Sequence, residues 1–266
     1  DSWPFPETPI VRSVVLRGLL LAAVLIPGEL AAAEKPPVSR DPRLVIELFA
    51  ADPDIVTPTG LDVDHAGRVF VIESNTHFPP EGYDRHPTDR LLVLRDLDDD
   101  GQAELPTVFA DGFVHAMSVA VRTSHDPSQP DTVLVATRKE VIALWDDDGD
   151  LVADRRTRIL QLDTKGNYPH NGLAGFAFDA HGHMYIGLGE NLGAAYKLIG
   201  SDKTTLEGGG EGGNIYRCRL DGSHLQKFAT GFWNPHANCV DAFGRLFCVD
   251  NDPDSLPPCR LMHIVA

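Results

Sequence analysis

The sequence predicts an all-β protein of the β-propeller class, because a strand–turn–strand unit recurs along it. Residues 58–73, 168–186 and 235–250 each place polar residues before a short apolar strand, followed by an Asp-x-x-Gly turn and a second strand. One repeat interval separates the second unit from the third, and two such intervals separate the first unit from the second. Strand pairs repeated at long, regular intervals are typical of propeller blades.

A weaker copy of the unit fills the gap between the first two. Residues 116–121 and 132–136 read as its strands, and a loop rich in Pro, Asp and Ser separates them. Apolar alternation and β-branched residues predict strands, whereas no segment after residue 41 has a helical period. A β-sandwich whose hairpins resemble each other by chance is the alternative architecture.

The predicted blades cover residues 45–110, 111–165, 166–230 and 231 onward, within a partial propeller over residues 41–266. The fourth blade stops shortly after one hairpin. A propeller closes its ring to remove exposed strand edges. We therefore expect a truncated chain in which about four blades are present.

The N-terminal residues predict export. Arg12 and Arg17 precede an apolar run over residues 18–27 that is too short to span a bilayer, and Ala31–Ala33 offers a small-residue cleavage site. These features are typical of a secretory signal peptide over residues 1–33, followed by a Pro-rich spacer over residues 34–40. The expected location is periplasmic or extracellular. An uncleaved anchor, which would keep the protein at a membrane, is the alternative.

Charge and cysteine content narrow the partners and the chemistry. A formal net charge of −16 argues against nucleic acid as a partner. All four cysteines fall in the last quarter of the chain, where export would permit disulfides, but buried free thiols remain an alternative. Cys239 and Cys248 flank one predicted hairpin, and we expect them on the same face of it.

Two acidic loops predict calcium sites. Hard Ca²⁺ prefers several oxygen ligands from one tightly turning loop. The first loop has carboxylates at its positions 1, 3, 5 and 9, namely Asp96, Asp98, Asp100 and Glu104. The second repeats the pattern with Asp146, Asp148, Asp150 and Asp154. Leu151 replaces the turn glycine Gly101 of the first loop, which is expected to weaken the second site. A solvated acidic turn is the alternative for both loops.

Polar residues directly before the innermost strands are expected to converge around the propeller axis. Concave sites with a few convergent polar groups are the default ligand sites, and histidine is the natural general base near neutral pH. The expected ring comprises Thr57, His115, His170, Asn171, Asn234 and His236. The Gly-rich segment over residues 207–213 is expected to be a flexible connector near this face.

Several segments together resemble a known family. They are Pro-His-Asn-Gly at residues 169–172, the hairpin end at 185–190, and the segments 213–217, 220–223 and 231–235. In order and spacing they resemble the glucose/sorbosone dehydrogenase family, whose members are six-bladed propellers that hold pyrroloquinoline quinone (PQQ) and calcium. The chain is also similar to the N-terminal propeller of large exported "membrane-bound dehydrogenase" proteins of planctomycete-type bacteria. Many of these continue into helical repeats and a cytochrome c module.

The resemblance implies an activity and residue roles. It gives His170 the role of the base that abstracts a hydroxyl proton from a sugar or alcohol, while hydride passes to the quinone. An Arg-Asn-Pro segment contacts the cofactor in the family, and Trp233 stands here where the arginine is expected. The cofactor contacts implied for this chain are Asn171, Trp233, Asn234, Pro235, His236 and His115.

Three functional hypotheses follow. The first is an exported PQQ-dependent sugar or alcohol dehydrogenase that passes electrons to a cytochrome c. The second is a propeller that binds carbohydrate or protein without catalysis, which the loss of the arginine at position 233 favours. The third is a hydrolase or lyase whose axial metal is held by His115, His170 and His236.

Overall fold

The computed structural model describes residues 37–168, 170–251 and 259–265, and within them it contains only β-strands as regular structure. The predicted signal peptide and the first three spacer residues lie outside the described residues, as does Pro169. Among the described residues no helix is long and apolar enough to cross a membrane. The strands are β1 (Pro58–Val63), β2 (Val69–Glu73), β3 (Asp89–Leu94), β4 (Thr107–Phe113), β5 (Ala116–Arg122), β6 (Thr132–Thr137), β7 (Glu140–Trp145), β8 (Arg155–Thr164), β9 (Leu173–Phe178), β10 (His183–Leu188), β11 (Tyr196–Gly200), β12 (Thr205–Gly208), β13 (Gly213–Arg219), β14 (Gln226–Phe232), β15 (Asn234–Val240), β16 (Leu246–Asn251) and β17 (Arg260–Ile264).

The strands form four antiparallel sheets, which confirms the predicted all-β propeller with four blades. The strand orders are β1-β2-β3-β4, then β5-β6-β7-β8-β11-β12, then β9-β10-β13-β14, then β15-β16-β17. The innermost strands β1, β5, β9 and β15 of consecutive sheets lie side by side. Hydrogen bonds join them directly: Ser118 Oγ accepts from the Gly175 N–H (3.0 Å), and Asn238 Nδ2 donates to the Gly175 carbonyl (2.7 Å).

The core lies between consecutive blades. In β6, Val133 and Val135 pack against the first blade, whereas Leu134 and Ala136 pack against the third. Alternate residues of a strand point to opposite faces of its sheet, so a blade covered on both sides needs apolar residues at every position. This explains the continuous apolar run of residues 133–136, all of which are buried.

The Asp-x-x-Gly turns are the best-preserved part of the repeat. In each of the three turns, one oxygen of the aspartate accepts hydrogen bonds from the backbone N–H groups two and four residues later, at 2.9 Å in every case. The aspartates are Asp64, Asp179 and Asp241. The glycine of each turn has φ near +80°, a conformation that residues with a Cβ rarely adopt.

The structure corrects three expectations about boundaries and loops. Strands β11 and β12 come from the β10–β13 connection, but β11 pairs with β8 and β12 pairs with β11, so they extend the second blade rather than the third. The Gly-rich segment is tethered, because the Glu211 carboxylate accepts from Tyr196 OH (2.6 Å) and Lys227 Nζ (2.7 Å). Cys239 pairs with Phe247 and is exposed, whereas Cys248 is buried on the other face of the hairpin. Cys218, Cys239 and Cys248 are free thiols.

Candidate functional site

The loops that precede the innermost strands border an open pocket of about 630 Å³. Its walls come from the β2–β3 loop, the residue before β5, the β6–β7 turn and the segments that flank β9 and β10. The lining residues are Thr76, His77, Phe78, Pro79, His115, Arg138, Asn167, Tyr168 and Leu192. Among the residues that the structure describes, the lining contains two imidazoles, one guanidinium and two aromatic rings, and no carboxylate.

A buried carboxylate at the start of β3 fixes two of the pocket loops. Asp89 has no exposed surface. One of its oxygens accepts from the backbone N–H groups of Asn75 (2.7 Å) and Thr76 (2.8 Å). The other accepts from Thr76 Oγ1 (3.0 Å) and the Ala116 N–H (2.7 Å). Because Thr76 Oγ1 in turn accepts from the His115 N–H (2.8 Å), the backbones next to His77 and at His115 are held together.

A histidine pair forms the centre of the site. His77 Nε2 lies 3.3 Å from His170 Nδ1, so one ring donates a hydrogen bond to the other. The His170 ring also contacts Phe78 and Tyr168, with ring centroids 5.6 and 5.7 Å away. The His77 ring lies 6.1 Å from that of His115. The structure thus brings the predicted His170 and His115 to one site, with His77 between them.

His77 was missed by the sequence analysis. It lies in the irregular β2–β3 loop rather than directly before an innermost strand, so the repeat gives no signal for it. A usable signal would have been the polar and aromatic run Asn75-Thr76-His77-Phe78 between two strands that are otherwise apolar.

The surroundings of His77 and His115 favour neutral imidazoles. Burial, then the charges of His170 and Arg138, lower the pKa of His77. Burial, then the charges of Arg138 and His77, lower the pKa of His115. A neutral His77 can accept a hydrogen bond at Nε2 and so orient the ring of His170.

The remaining predicted contacts support the His170 loop instead of lining the pocket. Asn234 is 8% exposed, and its Nδ2 donates to the His170 carbonyl (3.3 Å). Asn171 is buried, and its Nδ2 donates to the Glu190 carbonyl. Pro235 is buried too, and its carbonyl lies against Gly187. These three residues are positioned to shape the site from behind.

Trp233 and His236 differ in their relation to the site. The Trp233 ring meets Tyr168 edge-on at 5.9 Å, and Tyr168 in turn contacts His170. His236 lies inside β15, at a bulge beside Gly175. Among the described residues the His236 ring makes no hydrogen bond or ring contact with the pocket histidines. The axial metal set of His115, His170 and His236 is therefore not assembled.

The first acidic loop, between β3 and β4, gathers three of its four predicted ligands. The atoms that could bind a cation lie within 4.8 Å of one another in Asp96, Asp98 and Glu104. Asp100 is outside this group, since its carboxylate accepts from the Gln102 N–H (2.8 Å). Glu104 Oε2 also accepts from the Leu97 N–H (2.7 Å), which closes the loop.

The second acidic loop, between β7 and β8, has the same construction. Its convergent carboxylates are Asp146, Asp148 and Asp154. Asp150 turns away to accept from the Val152 N–H (2.8 Å), and Asp154 Oδ2 accepts from the Asp147 N–H (2.7 Å). Leu151 adopts φ of +69°, close to the +86° of Gly101. The second loop therefore keeps the left-handed conformation at this position without glycine.

The acidic loops and the pocket lie at opposite ends of the same strands. Asp89 and Glu140 begin β3 and β7 next to the pocket, and the acidic loops follow the far ends of these strands. A six-residue strand is roughly 20 Å long. A cation in either loop would be remote from the pocket, so its role would be structural.

The fold and the pocket define a β-propeller protein with a polar, histidine-containing site at one end of its blades. Residues 38–262 match the protein family described as a domain of unknown function, DUF7133, and the chain therefore belongs to that family. No curated protein matches it.

Solved structures share the fold at low sequence identity. A Trichoderma reesei protein of Carbohydrate-Active Enzymes Family AA12, in an iodide structure, aligns with a TM-score of 0.54 and 13% identity over 82% of this chain and 53% of its own. The calcium structure of the Trichoderma reesei AA12 enzyme aligns with a TM-score of 0.50 and 11% identity, over 77% of this chain and 48% of its own. The holo pyranose dehydrogenase PQQ domain of Coprinopsis cinerea aligns with a TM-score of 0.43 and 13% identity, over 74% and 44%. The chain spans about half the length of these structures.

Proposed function

We propose that this chain forms the propeller of an exported dehydrogenase that oxidises a hydroxyl group of a sugar or alcohol with PQQ as cofactor. The observation that carries the proposal is the His77–His170 pair beside a 630 Å³ pocket with aromatic walls. Export rests on the signal-peptide pattern of residues 1–33.

His170 is the general base of this proposal. To take a hydroxyl proton on Nε2, it must carry its other proton on Nδ1, and that N–H donates to His77 Nε2. His77 is suited to accept because its lowered pKa keeps it neutral. The same hydrogen bond stabilises the imidazolium that forms when His170 gains the proton, as an orienting partner does in catalytic triads. His77 is therefore a positioning residue.

The pocket walls suit a sugar ring. Phe78, Tyr168 and Leu192 offer apolar surfaces to C–H groups, while Thr76 and Asn167 offer polar atoms to hydroxyls. The Trichoderma reesei neighbours are named as carbohydrate-active enzymes, which supports the same substrate class.

The lining also fits an anionic, planar quinone. PQQ carries carboxylates, and the described lining holds imidazole and guanidinium groups with no carboxylate to repel them. Tyr168 and His115 are placed to hold such a group, and Trp233 extends the aromatic wall behind Tyr168. When bound, PQQ supplies the two-electron acceptor for the hydride that leaves the carbinol carbon.

We further propose Ca²⁺ in the two acidic loops, as a structural ion. Each loop offers three convergent carboxylates, and Ca²⁺ needs six to eight oxygens, so backbone carbonyls or water must complete each site. Electrons are proposed to leave the quinone for a cytochrome c, in line with the exported location. The net charge of −16 still argues against nucleic acid.

The test is PQQ binding with Ca²⁺ together with dye-linked oxidation of aldoses by the full-length protein. We expect turnover to fall by roughly 100- to 10,000-fold in His170→Ala, the range typical of a lost general base. His181→Ala, an exposed histidine at the other end of the same blade, is the matched control and should retain turnover. PQQ binding without turnover in the wild type would favour the non-catalytic binding propeller instead.

A further inference from the structure

The pocket has polar residues inside and apolar residues outside. The lining residues that are buried or half-buried, here called the pocket floor, all carry a polar group: Thr76, His77, His115, Arg138 and Tyr168. Three of the four exposed lining residues are apolar, and these are called the pocket rim: Phe78, Pro79 and Leu192. Soluble proteins usually show the opposite arrangement, so buried polar groups and exposed apolar groups are the informative observations.

Two side chains supply most of the apolar surface of the rim. Phe78 is 65% exposed and Leu192 is 70% exposed. They reach the pocket from two different connections, the β2–β3 loop and the β10–β11 connection. The Phe78 ring lies 5.0 Å from the His77 ring and 5.6 Å from the His170 ring, between centroids. The Leu192 turn is tied to the floor, because Asn191 Oδ1 accepts from the Tyr168 N–H (2.9 Å).

Both side chains are held in a backbone conformation that does not favour them. Phe78 has φ of +52° and Leu192 has φ of +53°, in the left-handed region that suits glycine and asparagine. In the part of the chain that the structure describes, Leu151 is the third apolar residue, glycine apart, with positive φ. Leu151 is 6% exposed, so burial in the core compensates for its strain. Burial in the fold does not compensate for the strain at Phe78 and Leu192.

We infer that Phe78 and Leu192 hold an apolar group of the ligand, and that the pocket takes an amphipathic glycoside. The sugar lies on the polar floor, and an alkyl or aryl aglycone lies between the two rim side chains. The inference rests on the proposed function and deepens it by naming the substrate class. A free monosaccharide carries hydroxyls around its whole ring, whereas a glycoside of this kind matches both the floor and the rim. The pocket volume of about 630 Å³ is within the range of ligand pockets.

The experiment measures equilibrium binding of methyl and hexyl β-glucoside by calorimetry, to the full-length protein with Ca²⁺ present and no PQQ added. The two glucosides share one sugar and differ only in the length of the alkyl chain. We expect the wild type to bind the hexyl glucoside roughly tenfold more tightly, because part of the longer chain leaves water at the rim. The hexyl glucoside should also give the more negative heat-capacity change, which marks apolar burial.

Three variants locate the surface that binds the chain. Phe78→Asn and Leu192→Asn remove the apolar surfaces and keep the turns, because asparagine adopts positive φ with little strain. Each should reduce the preference for the hexyl glucoside roughly threefold, and the double variant should bind the two glucosides equally. Phe243→Asn is the matched control. Phe243 is 83% exposed in the β15–β16 turn, remote from the pocket, and its replacement should leave the preference unchanged.

The outcomes separate this inference from the proposed function. Equal affinity of the wild type for the two glucosides, or no binding of either, overturns the inference and leaves the rim to a protein partner. A preference for the hexyl glucoside that survives in the double variant overturns it too, because another surface then binds the chain. If the double variant does not fold, the wild type and the two single variants decide. His170→Ala decides the dehydrogenase separately: chain-length-dependent binding without turnover in the wild type keeps the amphipathic site and removes the dehydrogenase.

Discussion

The two ends of the blades differ in how closely they follow the repeat. At the far end, three Asp-x-x-Gly turns have the same hydrogen bonds at the same distances, and the two acidic loops have the same backbone conformation. At the pocket end, no two loops are alike. His77 and Arg138 come from the connections between the second and third strands of the first two blades, one a long loop and the other a tight turn, and His170 precedes the innermost strand of the third blade.

The difference is the one expected where the sequence repeats because of folding at one end and varies to form the proposed ligand site at the other. A turn that only reverses the chain has one best solution, so it recurs with each blade. A site needs different groups from each direction, so its loops must differ. Residues with positive φ that are not glycine occur at both ends: Thr57, Phe78 and His115 at the pocket end, and Asp99 and Leu151 in the acidic loops.

The largest expected effect comes from the carboxylate beneath the pocket. Asp89→Asn puts an amide NH₂ against backbone N–H groups in a fully buried place, and we expect unfolding free energy to fall by about 3 kcal/mol. Because Asp89 ties the His77 loop to the residues before β5, ligand binding should be lost as well. Chemical denaturation and calorimetry measure the two effects.

Asp179→Asn is the matched control at the far end. It keeps an acceptor for the two backbone N–H groups and weakens only the contacts to His183 and Tyr185, so a loss of about 1 kcal/mol with unchanged ligand binding is expected. Equal losses in stability and binding for the two variants would erase the distinction between the ends of the blades.

The repetitive end of the blades is predictable from the sequence, and the pocket end is predictable only in part. Repeated glycines and aspartates were enough to predict the blades, and His170 and His115 were found because they precede innermost strands. His77 and Arg138 were not found, because a β2–β3 loop and a tight β6–β7 turn carry no repeat signal. Their role depends on which loops meet in space. His236 lies inside β15 rather than before it, because the strand already begins at Asn234.

Leu151 tests how the second acidic loop keeps its turn conformation without a glycine. Its backbone takes a left-handed conformation that costs a leucine about 1–2 kcal/mol, yet its side chain is 6% exposed within the core of the first and second blades. Leu151→Gly relieves this strain but removes a buried side chain worth about 2–5 kcal/mol. We expect the free energy of unfolding, measured by thermal denaturation, to fall by about 2 kcal/mol, with the Ca²⁺ affinity of the loop unchanged.

The opposite swap, Gly101→Leu in the first loop, is the control for Leu151→Gly. Among the described residues, a Cβ at residue 101 would approach only the Glu47 side chain, whose carboxylate oxygen would lie 2.9 Å away. That variant should be destabilised by strain alone. A stabilised Leu151→Gly protein would mean that backbone conformation, not burial, decides the residue at this position.

His77→Ala tests the pair at the centre of the site. Without the acceptor at His77 Nε2, the base-competent tautomer of His170 loses its orientation, and we expect kcat to fall about tenfold with KM little changed. His77→Gln retains an acceptor and should recover part of the rate. A loss of binding rather than of rate would show that His77 contacts the ligand itself.

The smallest effect is a difference in pH dependence between the two ends. The pKa values of His77 and His115 are lowered, so between the usual value near 6.5 and the lower folded values the unfolded chain binds more protons than the folded chain. Stability contributed by neutral histidines is therefore lost as the pH falls below about 6.5.

At the far end the groups that titrate are carboxylates. Burial opposes ionisation of Asp179, but hydrogen bonds from His183 and His181 outweigh it and lower its pKa. The Ser223 hydroxyl, with its N–H, lowers the pKa of Asp221. Their contribution persists above the usual carboxylate pKa and is lost only below about pH 4. Denaturation midpoints measured from pH 8 to pH 3 should thus fall in two steps. His77→Gln combined with His115→Gln should reduce the upper step only, and the remainder of that step belongs to His236, whose pKa is also lowered by burial. If the double variant leaves the upper step intact, the histidines are not its source, and the pocket end is no more sensitive to mild acid than the turns.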